Sequence, residues 1–169
     1  GIFHESLNLA AVWNLPVLYV CENNHWQAFV HRNETMLHPH ISPRAAGYGM
    51  EGLTVDGNDV EAVLAAASDA AAKVRETRRP FLLETYTYRL RGHLEPDDQS
   101  YVDPAELAHW RGEDPILRMR LRLQEKGLLQ PAGFAAMEAR CREVMDGAEA
   151  FASDSPFPEL SELTTDVYA

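Results

Sequence analysis

The chain has 169 residues, 46% of them hydrophobic and 24% charged, with a formal net charge of −11. These are the values of one globular domain with a real core, and they exclude a disordered chain. The acidic balance argues against a nucleic-acid or anionic-membrane surface, where Lys and Arg dominate, and no apolar run approaches membrane-spanning length.

The N-terminus, Gly1-Ile2-Phe3-His4-Glu5, enters a helical pattern without a lead-in and reads as a chain entered mid-domain. Glu5 to Asn14 is apolar nearly all round and predicts a buried helix, stopped before Leu15-Pro16. Val17 to Cys21 is an unbroken apolar run, as expected of a strand buried on both faces of a parallel sheet. Polarity then flips at Glu22-Asn23-Asn24. In open α/β sheets ligands sit outside the carboxyl ends of strands, which is where this cluster falls. Asn is a neutral oxygen ligand suited to Mg²⁺; the simpler reading of Asn-Asn is a turn.

His25 to Ser42 has no period and reads as a long surface loop. His38-Pro39-His40 within it lacks a third ligand at fitting spacing and reads as solvated. A short helix is expected at Pro43 to Ala46, then a strand at Leu53 to Val55 closed by the Asp56-Gly57 turn. Asn58 is expected to cap a long helix, with Glu61 in the reciprocal position. Its apolar stripe is Val60, Val63, Leu64, Ala67, Ala71 and Val74, and Pro80 ends it. Phe81 to Tyr88 is the third strand, giving a parallel strand–helix–strand crossover.

Arg89 to Asp103 is a second long polar loop. Helices follow at Pro104 to Arg111 (cap Asp103), Pro115 to Lys126 (cap Asp114, stop Gly127) and Pro131 to Ala152, then an irregular tail. The fold class is therefore α/β, a parallel sheet with flanking helices, divided into an α/β half at 1–103 and a helical extension at 104–169. Cys21 and Cys141 lie in apolar-rich stretches and read as buried thiols of a reducing compartment. With no signal-like start, a cytoplasmic protein is expected.

Several stretches together resemble the alpha subunit of the thiamine-diphosphate-dependent first component of 2-oxo-acid dehydrogenase complexes, pyruvate or acetoin type. They are Phe3 to Asn8, Leu15-Pro16 with Glu22-Asn23-Asn24, Gly47-Tyr48-Gly49, Val55 to Asp59, and Thr87-Tyr88-Arg89-Leu90-Arg91-Gly92-His93. Each is weak alone; their order and spacing are specific. The resemblance implies a thiamine-diphosphate-binding fold, incomplete at the N-terminus. It also implies Asn24 and the Trp26 carbonyl as Mg²⁺ ligands against the cofactor diphosphate. The family's Gly-Asp-Gly is placed just before Gly1, so the resemblance is to the C-terminal half of that subunit.

His93 matches a family histidine near the reactive ring, where imidazole can donate to a substrate oxygen or pass a proton. Arg89 matches an arginine that braces the loop, while Asp97 and Tyr101 are expected to order it. Two departures stand out: Gln27 where the family has Gly, and Val102 where it has Arg. The implied activity is decarboxylation of a 2-oxo acid, or cleavage of acetoin, with acyl transfer to lipoamide. The implied partners are a beta subunit, a lipoyl-bearing acyltransferase and the small substrate. The 169 residues alone are expected to be inactive and prone to self-association. A rival reading of another class is a degenerate, non-catalytic assembly chain of the same fold.

Overall fold

A computed structural model describes residues 1–166; the last positions of the expected tail, 167–169, lie outside the described residues. In chain order the elements are α1 (Ile2–Val12), β1 (Leu18–Asn23), β2 (Trp26–Gln27), β3 (Val30–His31) and α2 (Arg32–Thr35). A 3-10 segment (Ser42–Tyr48), β4 (Glu51–Asp56), α3 (Val60–Thr77) and β5 (Phe81–Tyr86) follow. After these come α4 (Pro104–Gly112), α5 (Pro115–Glu125), α6 (Pro131–Asp154) and a 3-10 turn at Leu160–Thr164. By packing the chain forms two units, Gly1–Arg122 and Leu123–Ala169, so α4 and most of α5 belong with the α/β part.

Among the described residues the main sheet is parallel, in the order β1-β5-β4, with Val20 opposite Leu83 and Leu53 opposite Leu83. Strand alternation sends successive side chains of β5 to opposite faces. Leu82 packs with Leu7, Ala45 and Met50 beneath α1 and the 3-10 segment, while Phe81 and Leu83 pack with Ala70 and Val74 of α3. Leu7, Leu82 and Leu83 are essentially inaccessible, and burying each contributes about 1.5–3 kcal/mol. β5 is central, and Phe81 to Thr85 along it are all buried.

Several expectations change. α1 is not a buried helix: only Leu7 and Ala10 are buried, while Ile2, Leu9, Val12 and Trp13 are exposed. β1 is an edge strand here, and Val20 is 56% exposed. The α3 stripe rotates toward Val63, Ala66, Ala67, Ala70 and Val74, leaving Val60 and Leu64 outside. Asp59, not Asn58, caps α3, accepting the N–H groups of Glu61 and Ala62. Asn58 is drawn into tertiary bonds instead, donating to the Glu113 carbonyl at 2.9 Å and accepting from the Thr87 hydroxyl at 2.6 Å. Asp59 also receives Arg122 at 2.8 Å, and Asp56 receives Arg118 at 2.8 Å, which seats one face of α5 beside the start of α3. The hydrogen bond from Arg122, with those from α3, holds the Asp59 carboxyl well below the usual range. Cys141 is exposed, and only Cys21 is partly buried. The segment 25–42 is not a plain loop, because it contains the β2–β3 hairpin and the α2 turn.

Gly52 of β4 lies directly against the 3-10 segment, with Ser42 and Ala45 over it. A Cβ there would lie 2.4 Å from the Ser42 carbonyl oxygen, a backbone atom that cannot step aside. Gly52→Ala should therefore destabilise the chain by about 1–3 kcal/mol in urea unfolding. Gly147, in α6 with nothing near its would-be Cβ, should instead gain up to about 1 kcal/mol on conversion to Ala. Equal effects at the two positions would contradict this packing.

Candidate active site

β1 and β5 run parallel and adjacent, so the polar segments that follow them leave the sheet side by side. The pairing continues past the strand ends: Thr87 N–H donates to the Asn23 carbonyl at 3.0 Å, and Arg89 N–H to the Asn24 carbonyl at 3.1 Å. This brings the Asn23-Asn24 stretch and the Arg89–His93 stretch together at the carboxyl ends of the strands.

The anchor beneath them is Glu84, absent from the sequence-based candidates. It is wholly buried on β5. Oε1 accepts from the Asn23 side-chain amide at 2.7 Å, while Oε2 accepts from the N–H groups of Ile41 and Ser42 and the Thr54 hydroxyl, each at 2.8 Å. Burial alone would push this carboxyl up, but the donors from Ser42, Asn23, Ile41 and Thr54 hold it below the ordinary value. Asn23, in turn, is locked by Glu84 and by donation to the Pro39 carbonyl at 3.3 Å.

Asn24 Oδ1 accepts the Trp26 N–H at 3.0 Å, so the side chain closes its own turn. An amide oxygen has two acceptor directions, and one remains for a cation. Trp26 pairs with His31 across the β2–β3 hairpin. The left-handed torsions of this hairpin fall on His25 (φ 70°) and Ala28 (φ 48°), not on Gln27. Gln27 in place of Gly is therefore accommodated in ordinary strand conformation.

Arg89 bridges the two segments. Its Nη2 donates to the Ala28 carbonyl at 2.6 Å and reaches the Tyr101 hydroxyl at 3.3 Å, and its guanidinium lies 6.0 Å from the Trp26 ring. His93 is exposed, with its ring 5.7 Å from that of Phe29 at the hairpin tip. It lines an open cavity of about 400 Å³, together with Arg91, Glu95, Asp97 and Arg111. Asp97 orders this loop by accepting the N–H groups of His93 (2.6 Å) and Gln99 (2.9 Å) and the Tyr101 hydroxyl (2.7 Å). Burial works against the charge on Asp97, yet the bonds from Tyr101, His93 and Gln99 keep its carboxyl below the usual value. Val102, standing where the family has a cation, is buried and closes a turn on the Gln99 carbonyl at 2.9 Å. An apolar plug thus anchors this end of the loop, and Arg89 supplies the charge.

Asn24, Trp26, Arg89 and His93 thus gather around one hairpin. Glu5 and Asn8 are exposed on α1 and take no part. His40 is not simply solvated: its ring lies 4.9 Å from Tyr86, and Nδ1 is 3.9 Å from Glu84. His25 carries no sequence signal that marks it as a site residue. It is 5% exposed, packed among Tyr86, Tyr88 and Trp110, and burial pushes its imidazole down to about 4.

Comparison with known proteins supplies the family. The Dehydrogenase E1 component family matches residues 1–161. The chain belongs to that family. It is 41% identical over 99% of its length to the alpha subunit of acetoin:2,6-dichlorophenolindophenol oxidoreductase from Bacillus subtilis (strain 168), covering 50% of that protein. It is 37% identical over 99% of its length to the pyruvate dehydrogenase E1 component subunit alpha of Rhizobium meliloti (strain 1021), covering 48% of it. Against the 3-methyl-2-oxobutanoate dehydrogenase subunit alpha of Mycobacterium tuberculosis (strain CDC 1551 / Oshkosh) the identity is 38%, over 100% of this chain and 46% of that one. This E1 chain spans about half the length of these relatives. No helix among the described residues is long and apolar enough to cross a membrane.

The Asp97 bonds make the order of this E1 loop testable. Asp97→Asn loses the charge that three donors share, so the His93 and Gln99 amides should exchange with deuterium faster than in the unaltered chain, while β5 amides stay unchanged. Unaltered exchange at His93 would show that the loop is ordered by something else.

Proposed function

We propose that the chain is the metal-and-diphosphate-holding part of an E1 alpha subunit, acting with thiamine diphosphate and Mg²⁺ on a small 2-oxo acid or acetoin. The observation that carries this reading is the convergence of Asn24, Trp26, Arg89 and His93 at the carboxyl ends of the paired strands β1 and β5. Family membership supports an oxidoreductase of dehydrogenase type. The donor set fits the cofactor's cation: the free acceptor direction on Asn24 Oδ1 and the Trp26 carbonyl are neutral hard oxygens, which Mg²⁺ prefers when phosphate completes its shell.

In this reading Asn24 and the Trp26 carbonyl would hold Mg²⁺. Bound thiamine diphosphate supplies the nucleophile and the electron sink for breaking a bond next to a carbonyl. The protein's work is placement. Glu84 fixes Asn23, Asn23 fixes the start of the turn, and Arg89 ties the turn to the loop that carries His93. The His93 ring, held beside Phe29 at the edge of an open polar cavity, donates to a substrate oxygen or moves a proton through a ring nitrogen. A beta subunit completing the site and a lipoyl-bearing acyltransferase accepting the acyl group are the partners this reading requires.

The test uses the complete alpha subunit assembled with its beta partner. Asn24→Ala should weaken Mg²⁺-dependent thiamine diphosphate binding by about tenfold or more in calorimetry, the scale of a lost metal-site interaction. His93→Ala should lower turnover of the accepted substrate among pyruvate, acetoin and branched 2-oxo acids while leaving cofactor affinity nearly unchanged. Unchanged cofactor affinity in Asn24→Ala, or undiminished turnover in His93→Ala, would contradict the assignment of that residue.

A further inference from the structure

His25, His31 and Glu106 bring one ligand atom each to within 4.8 Å of one another. We propose that these three side chains form a binding site for a late first-row divalent cation, Zn²⁺ foremost, separate from the Mg²⁺ ligands assigned to Asn24 and Trp26. Nothing in the proposal depends on thiamine diphosphate.

The geometry is close to a coordination shell. Glu106 Oε1 lies 3.4 Å from His31 Nε2 and 3.9 Å from His25 Nδ1. Tetrahedral Zn²⁺, with bonds of about 2.0–2.1 Å to N and O, separates its ligands by about 3.3–3.4 Å. The His31–Glu106 edge already has that length; the ligand atom of His25 stands 3.9 Å from Glu106 and within 4.8 Å of His31, and it moves inward on loading. Three protein ligands leave a fourth position for water.

The polar inventory points the same way. Both ring nitrogens of His25, and Nε2 of His31, are buried with no hydrogen-bond partner among the described residues. An unpaired buried polar group costs free energy, so each one calls for an explanation. An imidazole–carboxylate pair accounts for only one of them. His31 Nδ1 accepts the Asn33 N–H at 3.3 Å, so the neutral ring carries its proton on Nε2, facing Glu106. That pair leaves His25 wholly unsatisfied. A cation bound to Nδ1 of His25 and Nε2 of His31 satisfies one nitrogen on each ring and neutralises Glu106. The rest of the His25 ring is packed among aromatic rings, with the Trp110 centroid at 5.2 Å in a T-shaped arrangement and that of Tyr86 at 4.5 Å. Loading moves the His31 ring proton to Nδ1 and ends its long bond to Asn33, whose exposed amide turns to water.

The ligands are held by different elements, as a cross-link requires. His25 and His31 stand on the β2–β3 hairpin, closed by donation from Arg32 N–H to the His25 carbonyl at 2.8 Å. Glu106 sits in the first turn of α4, whose cap is Asp103. Two imidazoles and a carboxylate select Zn²⁺ and its neighbours over Mg²⁺, which takes oxygen. A cation here would staple the hairpin to α4 and so steady the turn between Asn24 and Trp26.

The test is titration of the chelator-stripped complete subunit with Zn²⁺ alone, and with Co²⁺ as a spectroscopic stand-in. One equivalent of Zn²⁺ should bind at micromolar affinity or tighter, and Co²⁺ should show the intense visible bands of a tetrahedral site. His25→Ala and Glu106→Gln should each weaken binding by about tenfold or more. Glu106→Gln keeps the shape of the side chain, and an unchanged circular dichroism spectrum would separate a lost ligand from a lost fold. Cys141→Ser and His38→Ala should leave binding intact. No stoichiometric Zn²⁺ binding, or binding that survives both His25→Ala and Glu106→Gln, would overturn the site and leave surface donors such as His38 or Cys141 as the source.

Discussion

A carboxylate with no access to water sits at the centre of this sheet, and four donors converge on it. Glu84 can be tolerated there because each of its oxygens is satisfied: one by Asn23, the other by two backbone N–H groups and a threonine hydroxyl. A buried ion with unfilled acceptor sites costs several kcal/mol, so these donors are obligatory, and none of them can drift. They come from three parts of the chain: the end of β1, the loop entering the 3-10 segment, and β4. One side chain therefore ties both neighbours of β5, and the layer above them, into a single register.

The placement of the candidate site follows from that constraint. Asn23 is spent on Glu84, which leaves Asn24 at the outer edge of the sheet with its side chain closing the turn to Trp26. Parallel pairing of β1 with β5 brings Arg89 beneath the same turn. From there each contact is local: Arg89 to the hairpin and to Tyr101, Tyr101 to Asp97, Asp97 to the backbone of His93. The rigid end of this chain of contacts is the buried carboxylate. Its loose end is the exposed loop carrying His93, a distribution suited to a site where one wall is fixed and another meets substrate.

Much of this was legible in residue order, for reasons that can be named. The strands expected at Val17–Cys21, Leu53–Val55 and Phe81–Tyr88 are short runs bounded by Pro16, Asp56-Gly57 and Pro80, and the last of them ends at Tyr86. The helical extension is punctuated by Asp103, Asp114 and Gly127, all of which act as expected. The family resemblance named Asn24, Trp26, Arg89 and His93, and the fold brings these together. What stayed hidden depends on tertiary partners. Glu84 inside an apolar strand gives no local sign that it is buried. The β2–β3 hairpin lacks a glycine turn, because Ala28 takes the left-handed torsion that Gly would advertise. Asn58 and Asp59 are equally good caps by composition, and distant partners decide between them: the Thr87 hydroxyl takes the Asn58 Oδ1 and the Glu113 carbonyl its amide N–H. The same holds for His25, His31 and Glu106, whose sequence spacing matches no ligand motif.

The central claim is that Glu84 fixes the turn through Asn23, and a double-mutant cycle isolates that link. Unfolding free energies would be measured for the unaltered chain, Glu84→Gln, Asn23→Ala and the double variant. A coupling of about 0.5–3 kcal/mol is expected for two groups in one buried network. Additivity within about 0.3 kcal/mol would mean that the two side chains act independently, and that the turn bearing Asn24 is held by something other than the buried carboxylate.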